Sequence, residues 1–186
     1  MPKESSKNRI LKVAEELFSK NGFDGTSVDS IAKEANVNKA LIYYYFDSKE
    51  DIIISIFENV QEDLIEHLKV EFKENNVDTR EKIKKELLYL KERKNVILLL
   101  LMESFKENRD DFLFKCAEIA IGTEIVNFEQ IDKSEREKIL MDEFFTGFIP
   151  ILTFIAYEEK WCNYFNCDQD KALDYFLDAF MSSHYK

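Results

Sequence analysis

The stretch TSVDSIAKEANVNKALIYYYF, residues 26–46, predicts two short helices joined by a tight turn. Apolar residues recur at helical spacing on both sides of Asn36–Asn38, and Ala32 and Ala35 are small where the two helices must approach closely. A turn of this kind usually holds a glycine with positive φ, and asparagine is the next most tolerant residue, here Asn36. The pattern is typical of a helix-turn-helix, in which the second helix enters the major groove of DNA.

Capping residues are present at the start of both helices. Thr26 or Ser27 is expected to be the N-cap of the first, with Ser30 at the position where a capping box holds Glu. Asn38 is expected to cap the second helix. These positions set the two helices at about residues 27–46.

Candidate DNA contacts lie on the outer face of the second helix, after its apolar residues and Tyr45 turn inward. Lys39 can reach a guanine edge or a phosphate, and tyrosine can bind phosphates or pack on thymine methyl groups. A small residue, Ala40, lets the helix lie deep in the groove, and the amides at the start of the first helix form a phosphate site. The predicted DNA-binding residues are Thr26, Ser27, Asn38, Lys39, Ala40, Tyr43, Tyr44 and Lys49.

The rest of the chain predicts an all-α fold. Four glycines and two prolines among 186 residues are too few for the turns of sandwiches or barrels, and the glycines form neither a dinucleotide nor a P-loop pattern. Gly22 and Gly25 mark the exit from a first amphipathic helix, Asn8–Lys20. Further helical patterns follow to His184, which gives about nine helices and no convincing strand.

Charge is distributed unevenly along the chain. The net charge is −11, which taken alone argues against a nucleic-acid partner. Residues 1–50 contain eight Lys/Arg and eight Asp/Glu, which leaves 18 basic and 29 acidic residues for 51–186. A neutral first part and an acidic second part indicate two parts with different partners.

Compartment is predicted from the N-terminus and from the apolar runs. Met1–Arg9 is not followed by an apolar segment, so we expect no signal peptide. Three cysteines, Cys116, Cys162 and Cys167, are an odd number without the spacing of a disulfide framework, so we expect a cytoplasmic protein. The runs Val96–Met102 and Phe144–Tyr157 are shorter than the ~20 residues of a membrane span, so we expect buried or interface helices and no membrane partner.

The N-terminal quarter of the chain resembles the tetracycline-repressor (TetR) family of bacterial regulators. The resemblance covers roughly Asn8–Phe57. It departs from the family pattern at Asn36 for glycine, Asn38 for serine and Ala40-Leu41 for Gly-Thr, which affects the base preference and not the fold. The residues that carry it are Phe18, Asn21–Gly25, Thr26-Ser27-Val28, Ile31–Ala35, Val37, Lys39, Ile42-Tyr43, Tyr45-Phe46 and Ser48-Lys49-Glu50.

The resemblance implies a helix-turn-helix DNA-binding domain at residues 6–66 and a helical ligand-binding and dimerisation domain at 67–186. It implies a homodimeric transcriptional repressor that binds a pseudo-palindromic operator in double-stranded DNA and is released by a small molecule. The fourth helix would connect the two halves, and the last two long helices would form the dimer interface.

The run Phe144–Tyr157 independently predicts a buried surface, because it is uncharged and apolar around its whole circumference. A four-helix bundle between two subunits would bury it, and a central core helix of the monomer is the alternative. Pro150 is expected to kink this helix. The predicted interface residues are Phe148, Ile151, Ile155, Phe176 and Phe180.

Three carboxylates lie in apolar sequence surroundings. A buried acid must be paired or functional, because desolvating a lone charge costs several kcal/mol. One interpretation is a pocket for a small hydrophobic or cationic lipophilic effector, and the alternative is the exposed face of amphipathic helices. The predicted pocket residues are Glu103, Glu118, Glu143, Phe105 and Phe145.

Two other functions fit the same sequence. One is a soluble helical carrier of a hydrophobic small molecule without a DNA role, which the neutral first part favours slightly. The other is an enzyme, but His67 and His184 are the only imidazoles and no nucleophile, metal or phosphate motif accompanies them. Cys162 and Cys167 with His184 could in principle hold a metal, although ordinary thiols are the simpler interpretation. We therefore expect no catalysis, no metal and no cofactor.

Overall fold

The computed structural model describes residues 5–71, 78–106, 110–125 and 127–184, and this part of the chain is helical without any strand. The expected all-α fold is confirmed. The sequence predicts that the fourth helix continues to about Glu74 and that a loop follows at Asn75–Asp78; of these residues, 72–77 lie outside the described part of the chain. The helices are α1 (Ser6–Asn21), α2 (Val28–Glu34), α3 (Lys39–Tyr45), α4 (Lys49–Glu71), α5 (Thr79–Glu92), α6 (Lys94–Ser104), α7 (Asp110–Glu124), α8 (Lys133–Glu143), α9 (Ile149–Phe165) and α10 (Gln169–His184).

The helices α8 and α9 are parts of one long helix, because a π-helical segment, Phe144–Phe148, joins them. Counted in this way, the described residues form nine helices, as the periodicity predicted, with one turn of 3₁₀ helix at Phe128–Gln130.

Two compact units divide the chain. Unit 1 contains Met1–Val60 and Leu98–Cys116, and unit 2 contains Gln61–Ile97 and Ala117–Lys186. Unit 1 therefore includes a segment from the middle of the chain that no sequence pattern had assigned to it. The predicted functional domains, 6–66 and 67–186, remain a prediction.

The core of unit 1 is formed by the inward faces of its first four helices. Side chains at helical spacing on each of them are almost fully excluded from water, and each Leu, Ile or Phe among them contributes about 1.5–3 kcal/mol by its burial. Phe18 and Phe23 contact each other beneath the α1–α2 turn, with ring centroids 5.3 Å apart. The core residues of these helices include Ile10, Leu11, Ala14, Phe18, Ile31, Ala32, Ile42, Ile52, Ile53, Ile56 and Phe57.

The turn between α1 and α2 depends on its two glycines. Gly22 ends α1 with a φ of 74°, and its amide donates to the Phe18 carbonyl at 2.9 Å. A Cβ added to Gly25 would collide with the Asn21 carbonyl oxygen, so only glycine fits there. The predicted exit from the first helix is confirmed at this turn.

Unit 2 contains a group of three helices, α5, α9 and α10. Their buried faces include Leu87, Leu152 and Leu177. Ion pairs join the same helices: Arg80 of α5 binds Asp174 and Asp178 of α10, at 3.2 and 3.0 Å. Lys91 of α5 binds Glu158 of α9 at 2.7 Å, and the Glu158 side chain is only 3% exposed.

The predicted kink at Pro150 takes the form of the π-helical segment directly before it. Proline has no amide hydrogen, and its ring crowds the preceding helical turn. The Ile149 amide donates to the Phe144 carbonyl, five residues earlier, so the helix widens where the regular ladder is interrupted.

This long helix has more apolar length than the uncharged run alone suggested. Lys133–Phe165 is the one helix in the described residues that is long and apolar enough to cross a membrane, judged by length and composition. Its most apolar window has a mean hydropathy of 1.7, and 28% of that window is buried within the chain. Most residues of that window are therefore half-buried or exposed and not fully buried within the chain.

Candidate nucleic-acid interface

The first helix of the predicted motif begins with a capping box. The Ser27 hydroxyl accepts a hydrogen bond from the Ser30 amide at 3.0 Å, and the Ser30 hydroxyl accepts one from the Ser27 amide at 3.1 Å. Ser27 is therefore the N-cap, and Thr26, the other candidate, is not. The reciprocal bonds satisfy two amides that the first turn of α2 leaves without helical partners.

The turn between the two helices is a Schellman motif centred on Asn36. Asn36 has a φ of 51°, in the left-handed region, which confirms its predicted role in place of glycine. The Asn36 amide donates to the Lys33 carbonyl at 3.2 Å, and the Val37 amide donates to the Ala32 carbonyl at 2.9 Å. This bonding ends α2 and directs the chain into α3.

Two further hydrogen bonds support the turn. Arg9 of α1 donates from Nε to the Ala35 carbonyl at 2.9 Å, next to the end of α2. Asn38 is the N-cap of α3, as predicted, since its Oδ1 accepts from the Leu41 amide at 2.8 Å. The first residues of α3 are thus held relative to α1 and α2.

Four residues of α3 face solvent, and we call them the recognition face: Lys39, Ala40, Tyr43 and Tyr44. Tyr44 is 78% exposed, whereas Ile42 on the opposite side is buried. The neighbouring Tyr45 is half-buried, with its ring edge-on to Tyr44 at a centroid distance of 5.1 Å. This arrangement agrees with the expectation that Tyr45 turns inward while Tyr43 and Tyr44 lie on the outer face of the helix.

Lys39 is joined to an acidic residue of α2 that the sequence analysis did not single out. Its Nζ donates to Asp29 Oδ2 at 2.8 Å, across the turn. The hydrogen bond to Asp29 raises the pKa of Lys39 above its usual value, so the ammonium stays charged. No periodicity marks this contact, because the two residues are ten positions apart.

Two predicted phosphate contacts are instead bonded inside unit 1. Thr26 is 1% exposed, and its hydroxyl donates to the carbonyls of Leu17 and Gly22 at 3.1 and 2.9 Å. Lys49 Nζ donates to the Phe23 and Thr26 carbonyls at 2.8 and 2.9 Å. Both side chains hold the α1–α2 turn in place, which the sequence analysis did not foresee, and their contact with DNA remains a prediction. Ser27 remains exposed, beside this turn.

The predicted pocket residues do not share one environment. Glu103, in unit 1, is buried and accepts a hydrogen bond from Lys106 at 2.8 Å. Glu118 is exposed and Glu143 is half-buried, both in unit 2. The remaining two are exposed aromatic residues, among which Phe105 is 86% exposed. The expected burial thus applies to Glu103 and not to Glu118, Glu143, Phe105 or Phe145, and their place in a pocket remains a prediction.

The predicted interface residues also differ in position. Phe148, Ile155 and Phe180 are buried within unit 2 itself, so they contact their own chain. Ile151 and Phe176 are half-buried, and the Phe176 ring stacks on Phe154 at 4.2 Å. The sequence analysis missed the exposed aromatic residues of α9, which lie at spacings of four, three and one residues. They are Tyr157, Trp161, Tyr164 and Phe165, and we call them the α9 stripe.

Metal-ligating side chains are not clustered in the described part of the chain, where no three His, Cys, Asp or Glu are grouped so that they could hold an ion. All three cysteines are free thiols. His184 stacks on Phe180 with centroids 4.2 Å apart, and its Nε2 lies 3.1 Å from the Thr146 hydroxyl.

Known proteins match the N-terminal part most closely. Residues 10–56 match the model of the bacterial regulatory proteins of the tetR family. Over 46 residues the chain is 52% identical to IcaR of Staphylococcus aureus, a negative transcriptional regulator of the biofilm operon icaADBC. Over 53 residues it is 45% identical to IcaR of Staphylococcus epidermidis. These matches span 25–28% of this chain and 25–29% of the relatives, about a quarter of their length.

Solved structures match over nearly the whole chain. The transcriptional regulator FadR of Bacillus subtilis, in complex with stearoyl-CoA, is 25% identical with a TM-score of 0.57, covering 96% of this chain and 99% of that one. A TetR/AcrR-family regulator of Aquifex aeolicus is 26% identical with the same TM-score, covering 94% and 97%. FadR of Bacillus halodurans, a fatty acid degradation regulator, has a TM-score of 0.63 and is 18% identical, covering 100% of this chain and 99% of that one. At this identity the likeness is one of fold alone.

Proposed function

The chain belongs to the TetR family of bacterial transcription regulators, and we propose on this premise that it is a repressor released by a small-molecule effector. In this proposal a homodimer binds a pseudo-palindromic operator in double-stranded DNA. The observation that carries it is the recognition face, which exposes one cation, one small residue and two tyrosines along one side of α3, a helix capped by Asn38.

The chemistry of this face suits the major groove. The Lys39 ammonium can donate to guanine O6 and N7 or to a phosphate. Tyr43 and Tyr44 can donate their hydroxyls to phosphates, and Ala40 leaves room for the helix to approach the bases. The Ser27 hydroxyl, at the exposed start of α2, is the further candidate for a phosphate contact.

The charge distribution along the chain is compatible with DNA binding by its first part. Residues 1–50, which contain the recognition face, are neutral, and the acidic excess that phosphates repel belongs to residues 51–186. Specific binding then depends on hydrogen bonds at the face more than on a general basic surface.

A second copy of the chain is the partner that best accounts for the α9 stripe. Exposed apolar patches of this kind mark interaction sites, and a dimer would place two recognition helices about 34–36 Å apart, one turn of DNA. A membrane is the other apolar partner that the length of helix Lys133–Phe165 allows. Against it, α9 is held inside unit 2 by the buried Glu158–Lys91 ion pair and by Leu152.

A hydrophobic small molecule is the effector class that we propose. Support comes from the B. subtilis FadR structure, which is similar over nearly the whole chain and contains stearoyl-CoA. A cationic ligand is less well supported, because the buried carboxylate of Glu103 is already bonded to the Lys106 ammonium.

Release by an effector requires a route to the helix-turn-helix, and in this proposal two helices form it. Lys49, the first residue of α4, binds the Phe23 and Thr26 carbonyls, and Lys106, just after α6, binds Asp24 Oδ2 at 2.6 Å. Both helices continue along the chain into unit 2. Displacing either one would act on the turn that precedes α2. An effector has this consequence only if it binds the two states with different affinities.

The experiment is a selection from random-sequence duplex DNA with the purified full chain, followed by fluorescence anisotropy at fixed salt. Tyr43→Ala and Lys39→Ala are each expected to weaken binding to the selected duplex by about five- to 150-fold, which corresponds to the loss of about 1–3 kcal/mol per contact. Sedimentation velocity should show the same dimer for both variants and for the unchanged chain.

Lys115→Ala is the matched control, because Lys115 is an exposed lysine of unit 1 that is also paired with an aspartate, Asp111, at 2.9 Å. It should bind the duplex as the unchanged chain does. Unchanged affinity of the Tyr43 and Lys39 variants would refute the recognition face. A pool that never enriches would favour the hydrophobic carrier.

A further inference from the structure

We propose that Asp29 is a positioning residue of the recognition face, which holds Lys39 toward one base and so determines how strictly this lysine discriminates DNA sequences. The inference rests on the proposed function, since it concerns the same face. It assigns a role to an acidic residue that would otherwise only oppose DNA binding.

Asp29 and Lys39 both lie at the beginning of capped helices. Asp29 lies in the first turn of α2, after the Ser27 cap, and Lys39 is the first residue of α3, after the Asn38 cap. The Schellman turn at Asn36 sets the relation between the two helices. The Nζ–Oδ2 hydrogen bond of 2.8 Å therefore spans two rigidly connected supports, and not two flexible loops.

The bond limits what the ammonium can do. Lys39 has three N–H donors, and the one given to Asp29 leaves two for DNA. A lysine on its flexible four-carbon stem otherwise reaches any nearby phosphate. With its head held, Lys39 is suited to a paired acceptor such as guanine O6 and N7.

The Asp29 carboxylate also affects the affinity for non-specific DNA, which competes with the operator. On non-specific DNA the useful partner of Lys39 is a phosphate, which must either displace Asp29 or lie close to its negative charge. On the operator, two donors can reach a base while the third stays on Asp29. Asp29 thus weakens non-specific binding more than specific binding, which raises the ratio between them.

A second ion pair offers a matched control within the same unit. Lys115 and Asp111 of α7 are 2.9 Å apart, with side chains 55% and 70% exposed, compared with 47% and 71% for Lys39 and Asp29. Removing either aspartate changes the net charge equally. Only the pair at the recognition face should affect discrimination.

The test measures the affinity of Asp29→Asn and Asp111→Asn for the selected duplex and for a scrambled duplex over a series of salt concentrations. Asp29→Asn should bind the scrambled duplex about two- to fivefold more tightly. Its log K against log salt slope should become more negative by about 0.9 for each bound subunit, the value for one more phosphate contact. Asp111→Asn should match the unchanged chain in both measurements.

Base discrimination is the second readout. Single base-pair changes across the half-site identify the position at which Lys39→Ala loses its preference. Asp29→Asn should lose part of the preference at this position alone, Asp29→Glu should restore it, and the double variant of Asp29→Asn with Lys39→Ala should behave as Lys39→Ala does. Urea unfolding of each variant separates these effects from a loss of fold.

The outcomes separate this inference from the function on which it rests. If the unchanged chain selects a duplex and Tyr43→Ala weakens it, while Asp29→Asn keeps the original slope and preference, the inference is overturned and the function stands. Equal effects of Asp29→Asn and Asp111→Asn also overturn it, because charge alone would then suffice. If the unchanged chain selects no duplex, the proposed function fails, and this inference fails with it.

Discussion

Replacing Lys49 by alanine is expected to destabilise the chain by about 3 kcal/mol, because the structure gives this residue a structural role. Its ammonium donates to the Phe23 carbonyl at 2.8 Å and the Thr26 carbonyl at 2.9 Å, and it lies 4.1 Å from the centroid of the Phe23 ring. Hydrogen bonds from a charged donor contribute roughly 1.5–3 kcal/mol each, and the lower value applies where both sites are only partly buried. The cation–π contact adds about 0.5 kcal/mol, and water that reaches the released carbonyls offsets part of the total.

Urea unfolding, followed by circular dichroism at 222 nm, measures this change. With a slope of about 2 kcal/mol per molar urea, 3 kcal/mol lowers the midpoint by about 1.5 M. Lys115→Ala is the control and should stay within about 0.5 kcal/mol, because its ion pair is exposed. A Lys49→Ala variant that keeps its midpoint but loses affinity for DNA would refute the structural role and restore the predicted phosphate contact.

Two further predictions follow from local geometry. Asn36→Ala should lower the free energy of unfolding by about 1 kcal/mol, because alanine lacks the side-chain bonding that lets asparagine adopt a φ of 51°. Asn36→Gly should have a urea midpoint close to that of the unchanged chain. Equal midpoints for Asn36→Ala and the unchanged chain would contradict the left-handed turn. A disulfide reagent at pH 8 should label Cys167 quickly and the other two thiols slowly, because burial raises the pKa of Cys116 to about 12 and the hydrogen bond that the Cys162 thiol donates to Cys167 raises the pKa of Cys162 to about 11. Mass spectrometry identifies the labelled thiol, the two slow rates should increase about tenfold per pH unit as thiolate forms, and equal labelling of all three cysteines would contradict their burial.

The helix-turn-helix could be predicted from the sequence because its determinants are local. Asn36 at the positive φ and Asn38 at the N-cap act on backbone groups within a few residues of themselves. Their residue types then suffice to identify the turn. The same holds for Gly25, because a Cβ at this position would collide with the carbonyl oxygen of Asn21, only four residues earlier.

The roles of Thr26 and Lys49 could not be predicted in the same way. A threonine at a helix start and a lysine in a first helical turn fit a phosphate contact as well as an internal bond. The choice depends on where the carbonyls of Leu17 and Phe23 lie, and Phe23 is 26 residues from Lys49. Tertiary contacts of this separation leave no periodic signal, and the Lys39–Asp29 pair was missed for the same reason.

Burial of Glu103 depends on a similar contact. Apolar neighbours in sequence surround Glu103 and Glu118 alike, yet only Glu103 faces the interior, where Lys106 donates to it at 2.8 Å and also binds Asp24. A charged side chain remains buried where a partner compensates the cost of its desolvation. Without such a partner, as at Glu118, it faces water. Composition around a carboxylate therefore predicts that it is paired or exposed, but not which of the two.

Apolar surface on α9 illustrates a different limit of sequence reasoning. A helix that is apolar on all sides must be covered on all sides, so the pattern correctly predicts more contact than one neighbour provides. It does not say which face its own chain covers. The structure places Ile155 against unit 2 and leaves Tyr157 and Trp161 exposed. Because the covered face is already satisfied, a second subunit gains area only from the exposed one. Substitutions at Ile155 should therefore destabilise the monomer, and those at Trp161 should act on association.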